Sequence, residues 1–156
     1  SRGLGDVYKR QYKDSISGSL HLAFTKGKAD PNDPLLVRVH IPNTLRDICE
    51  VHTSKRTSWS FNAALKRIAE EGKGVAVLLS AEDYGQDIEH NLSNVLSYGS
   101  GSASANRSGS DLTIGTGSQI LRDLGVGKMR LLSFPAKFNA ISGFDLEVVE
   151  FVEFEK

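Results

Sequence analysis

Apolar and polar positions along this chain fall into short blocks of two kinds. Leu20-His21-Leu22-Ala23-Phe24 reads as a strand closed by Lys26-Gly27-Lys28, and Pro31 and Pro34 then mark a loop. Leu35 to Ile41 is rich in β-branched residues and stops at Pro42, which cannot donate to a sheet ladder, so a second strand is predicted there. Phe61, Ala64, Leu65 and Ile68 recur at i, i+3, i+4 and i+7, the spacing of one helix face. Ser58 or Ser60 can cap that helix, Lys66, Arg67, Glu70 and Glu71 take its wet side, and Gly72 sits where a left-handed C-terminal cap is expected. Gly74 to Leu79 is a continuous apolar run of strand length, the pattern of a strand covered on both faces. A helix feeding a doubly covered strand implies an α/β layer.

The second half is less regular. Asp87 to Tyr98 has weak helical character, and Gly99 to Ser110, a Gly/Ser run, reads as a flexible tether. Ser118 is the expected N-cap of a short helix through Ile120, Leu121 and Leu124, stopped by Gly125. A strand from Met129 to Phe134 follows, and the imperfect alternation of Leu146 to Phe154 reads as a half-exposed strand. Ser1 to Gln11 lacks an apolar period and the features of a signal peptide. It resembles translated adapter sequence of the kind that contaminates reading frames assembled from environmental DNA. We therefore expect residues 1–11 to be non-native or a linker, and residues 12–156 to form one domain cut from a longer parent.

Composition narrows the function classes. With 19 basic and 19 acidic side chains the formal charge is zero, and no basic stripe stands out, which argues against a nucleic-acid partner. The longest apolar runs fall far short of the roughly 18 residues a membrane span needs. Cys49 is the single cysteine, so neither an intrachain disulfide nor a multi-cysteine zinc site can form, and a reducing cytoplasm is the expected location.

Candidate chemistry is sparse. His21, His40, His52 and His90 show no His-x-x-x-His spacing, and no metal site is expected. His40 ends a predicted strand, where α/β sheets place function, although a structural histidine is the favoured reading. Gly115-Thr116-Gly117-Ser118 before a helix could hold a phosphate on backbone amides, or could merely bend the chain. Glu82, Asp83 and Asp87 could supply a base, with a solvated loop as the default. Arg122, Asp123, Lys128 and Arg130 could pair with each other or with a partner chain, and Cys49 is expected to be inert.

The run from Gly117 to Leu132 (GSQILRDLGVGKMRLL) resembles a motif of the GTP cyclohydrolase II family of riboflavin biosynthesis. Tyr12-Lys13-Asp14, Leu36 to His40, Ala63 to Gly72 and Gly143 to Glu150 follow that family's order. The resemblance implies a single α/β domain with a mixed sheet and packed helices, its first strand missing. It also implies three zinc-binding thiolates, at positions that fall here on Asn43, Lys55 and Thr57. Ammonium, amide and hydroxyl groups are poor substitutes for thiolates on zinc, and without the metal no water is activated at neutral pH. The family's catalytic arginine and its aspartate partner fall near Leu112 and Ser110, and its acidic loop on Ala81 to Asp87.

Trp59-Ser60, Leu45-Arg46-Asp47 after His40, and the run from Phe138 to Val149 (FNAISGFDLEVV) are similar to one subgroup. These are the C-terminal sections of bacterial 3,4-dihydroxy-2-butanone-4-phosphate synthases, in which a cyclohydrolase-like domain has lost its zinc ligands. The resemblance implies a non-catalytic, degenerate domain, without a cofactor of its own, fused to an upstream lyase domain that uses Mg and makes the four-carbon precursor from ribulose 5-phosphate. It further implies a homodimer. Arg38, His40, Ser118, Ser133 and Lys137 are the expected nucleotide or phosphate contacts. The competing expectations are an active GTP cyclohydrolase with an atypical metal site built from His40, Cys49 and His52, and a module that senses nucleotides without hydrolysing them.

Overall fold

The computed structural model describes residues 7–42, 47–49, 58–80, 107–135 and 141–155. Among them, one six-stranded mixed sheet carries a helix on each face. In chain order the elements are β1 (Val7–Lys13), β2 (Leu20–Lys26), β3 (Leu35–His40), α1 (Phe61–Glu71), β4 (Gly74–Leu78), α2 (Arg107–Asp123), β5 (Lys128–Leu131), a 3-10 turn (Ile141–Phe144) and β6 (Glu147–Phe151). The spatial order is β1-β2-β4-β3-β5-β6, with β4, β3, β5 and β6 parallel to one another, β2 antiparallel to its neighbour β4, and β1 antiparallel to β2. The expected α/β domain with a mixed sheet and packed helices is the one found.

Alternation along β3 builds two cores. Leu35 and Val37 point to the α2 side, where they join Val75, Val77, Ile120, Leu121, Met129 and Leu131. Leu36 points to the α1 side, where it meets Trp59, Ala64, Ile68, Ala76 and Leu132. The caps of α1 are as the sequence predicts: the Ser60 hydroxyl accepts from the Ala63 amide at 3.2 Å, and Gly72, at φ 81°, donates its N–H to the Ile68 carbonyl.

Three expectations change. Val7 to Gln11 pair with β2 as part of β1, so a strand occupies the sheet edge ahead of β2. Both sides of this edge strand are largely exposed, which is why it carries no apolar period. Arg107 to Ser110, read as tether, are helical, and Ser118 lies inside α2 rather than capping it. The helix was obscured by Gly109, Gly115 and Gly117, each unfavourable in a helix by about 1 kcal/mol relative to alanine. At Gly117 the reason is packing, since a Cβ there would come within 3.1 Å of Val39 Cγ1 on the sheet below. Finally, β5 and β6 end sooner than predicted, at Leu131 and Phe151. The predicted helical stretch from Asp87 to Tyr98 and the remainder of the tether fall outside the described residues.

Cross-links tie these layers together. Tyr12 donates its hydroxyl to Asp123 at 2.8 Å, joining β1 to the end of α2; burial first, and then this hydrogen bond, raises the phenol above its ordinary pKa. Arg130 on β5 bridges Glu150 of β6 and Glu71 of α1, both at 2.7 Å, while Arg122 pairs with Asp145. Arg122, Asp123 and Arg130, three of the four charges around the last helix and strand, therefore reach other elements instead of each other.

Candidate functional site

At the C-terminal end of β3, the period of two that puts Leu36 in the α1 core also turns Arg38 and His40 to that side. Both are buried, His40 at 1% exposure. One terminal nitrogen of Arg38 donates to the Leu132 carbonyl at 2.7 Å, and the other donates to the Trp59 carbonyl at 2.9 Å and to His40 Nδ1 at 3.1 Å. On the other side of the ring, His40 Nε2 lies 2.7 Å from Asp47 Oδ2. The Phe61 ring packs against the imidazole with centroids 5.4 Å apart.

Donor logic fixes the histidine's state. A guanidinium has donors only, so Nδ1 must accept from Arg38 and carries no proton. Nε2 therefore holds the hydrogen and donates it to the Asp47 carboxylate. With its lone pair turned to a cation and its N–H to a carboxylate, the imidazole is a neutral strut and has no nitrogen open for proton transfer to a ligand. His21, the other buried histidine among the described residues, accepts at Nδ1 from the Ser80 amide at 3.0 Å.

Of the five expected contacts, Arg38 and His40 are thus brought together, but their polar atoms face the protein. Ser118 is 4% exposed on α2, so the Gly-rich turn does not end at a helix N-terminus. Ser133 follows β5 and donates its N–H to the Leu131 carbonyl. It shares with Arg38 and Ser118 the wall of a cavity of about 230 Å³. Lys137 falls outside the described residues, as do Asn43, His52, Lys55, Thr57, His90 and the loop from Ala81 to Asp87. Cys49 is exposed, and Leu112 and Ser110 belong to α2.

Asp47 is the site residue that sequence reasoning missed as a partner. It is visible in the subgroup motif, yet nothing in the spacing says that a carboxylate seven positions after His40 folds back onto it. Among the described residues, no three His, Cys, Asp or Glu side chains gather at one point.

The GTP cyclohydrolase II family model matches residues 2–153 of this sequence. The chain belongs to the GTP cyclohydrolase II family. This bears out the resemblance read from the run between Gly117 and Leu132. Its relatives include the 3,4-dihydroxy-2-butanone 4-phosphate synthase of Pseudomonas aeruginosa, 49% identical over 153 residues, which cover 97% of this chain and 40% of that protein. The protein of the same name from Pseudomonas syringae pv. tomato is 39% identical over 145 residues, 92% of this chain and 38% of that one. Riboflavin biosynthesis protein RibBA of Cytophaga hutchinsonii is 32% identical over 162 residues, 97% of this chain and 39% of that one. This GTP cyclohydrolase II-family chain thus spans about two fifths of the length of these relatives. The three thiolates that the resemblance implies for zinc cannot all come from this chain, which has one cysteine.

Proposed function

We propose that this chain is a non-catalytic GTP cyclohydrolase II-type domain of riboflavin biosynthesis, carried in its parent behind a 3,4-dihydroxy-2-butanone 4-phosphate synthase domain. The observation that carries this reading is the donor set: one cysteine in 156 residues, where the resemblance implies three thiolates. The 49% identity to a synthase of that name supports the parent. In this reading the upstream domain, using Mg, converts ribulose 5-phosphate to the four-carbon precursor and formate. The present domain serves as a dimerisation or regulatory appendage in the cytoplasm, with no part for nucleic acid or membrane; no helix among the described residues is long and apolar enough to cross a membrane.

Two measurements test it together. Purified protein should hold less than about one zinc per ten chains, against the stoichiometric metal of a structural or catalytic site, and should release no formate from GTP when zinc is supplied. The parent chain should release formate from ribulose 5-phosphate. Stoichiometric zinc, or turnover of GTP, would overturn the proposal.

An active enzyme with an atypical metal site could, for instance, use His40, His52 and Cys49, but both ring nitrogens of His40 are engaged, by Arg38 and Asp47, which weighs against that example. A nucleotide sensor would use Arg38, Lys137 and the Gly-rich turn before Ser118, of which Lys137 falls outside the described residues. The terminal nitrogens of Arg38 are held by two carbonyls and His40, and Ser118 sits within a helix, which weighs against a phosphate there.

A further inference from the structure

The cavity of about 230 Å³ lies where the ends of β3 and β5 pass beneath α2. Val39, Leu121, Met129, Leu131 and Leu146 make its wall predominantly apolar, and Ser118 brings a hydroxyl to it. The space opens to solvent beside Ile41, which is 48% exposed, so a small molecule has a way in. A dry apolar cavity of about 150 Å³ in another protein takes up benzene, so the larger space here has room for a second fused ring.

We infer that this cavity is a binding site for a small, uncharged aromatic molecule of one or two rings. A triphosphate or sugar phosphate does not suit it. Its wall is apolar, and the terminal nitrogens of Arg38, the guanidinium that borders it, are committed to Leu132, Trp59 and His40. Met129, 1% exposed, gives the ligand an adaptable surface, because a thioether packs well against ring edges. The inference is independent of whether the domain turns over GTP.

The chain supplies its own reporter, because Met129 is its one methionine. With a 13C-labelled methyl group, titration of the 156-residue chain with indole should move the Met129 resonance saturably. At about five times the dissociation constant, the thermal midpoint should rise by roughly 2–4 °C. Ser118→Leu, which fills the cavity from α2, should abolish both responses. Should that variant fail to fold, the titration of the unaltered chain still decides the matter through Met129. An unmoved Met129 resonance at saturating indole overturns the inference. Equal displacement by GTP also overturns it, by assigning the cavity to a nucleotide.

Discussion

The two faces of the sheet solve the same packing problem differently. Under α1, Leu36, Ala64, Ile68, Ala76 and Leu132 close tightly, and polar side chains at the end of β3 are matched through several atoms: the terminal nitrogens of Arg38 to two carbonyls and a histidine, the histidine to a carboxylate. Under α2, the larger core stops short of the strand ends and leaves an apolar cavity. The matched polar groups make the α1 face intolerant of change, whereas the cavity gives the α2 face room to adapt. If the proposed loss of catalysis is right, the polar cluster remains because it holds Leu132, Trp59 and Asp47 in place.

The comparison can be broken most directly at Arg38. Arg38→Met should destabilise by roughly 3–5 kcal/mol, the cost of removing one partner from a buried charged network, as measured by urea unfolding. A loss below about 1 kcal/mol would mean that the cluster is not what makes this face rigid. Next, equal truncations on the two faces should differ. Leu36→Ala should fall toward the upper end of the usual range of about 2–5 kcal/mol, and Leu121→Ala toward its lower end, because Leu121 borders a space where contacts are already missing.

Asp47 sharpens the assignment of His40. Asp47→Ala leaves the Nε2–H without its acceptor and should cost about 1–3 kcal/mol, while Asp47→Asn keeps an oxygen acceptor and should cost less than about 1 kcal/mol. A large loss in the asparagine variant would indicate a charged imidazolium instead. Ser60→Ala, removing the cap of α1, should cost about 1 kcal/mol by the same assay.

The smallest effect is expected far from both faces, in the β1–β2 turn. There the Asp14 carboxylate accepts from the Ser17 and Ile16 amides, which hold its pKa below the ordinary carboxylate value. A lowered folded-state pKa stabilises the turn above the unfolded value of about 3.9, and that contribution fades as the pH falls through the lower folded value. Carboxyl NMR should place the Asp14 midpoint below that of a model peptide; an equal midpoint would show that the two amides do not hold it.

Legibility divides along the same lines as packing. β2, β3, α1 and β4 could be read because each residue choice agrees with its neighbours, as where Ser60, the face from Phe61 to Ile68, and Gly72 all specify one helix. α2 could not be bounded, because Gly117 is required by its distance to Val39 on another element, and a helix containing such glycines looks like a linker. β1 was missed because an exposed edge strand needs no apolar alternation. Within the cluster, the shared side of Arg38 and His40 follows from strand alternation. Their partners Leu132, Trp59 and Asp47 arrive through long-range folding that no local pattern encodes.

Trp59 also bears on how the molecule is made. Its indole N–H donates to the carbonyl of Val152, 93 residues later, and its ring meets Phe154 edge-on. The residues that seat the start of α1 are therefore synthesised after every other strand, and β3, translated early, waits for β4 and β5 before either of its edges is paired. Pairings between residues this far apart in sequence slow folding, because the chain loses loop entropy before the contacts form.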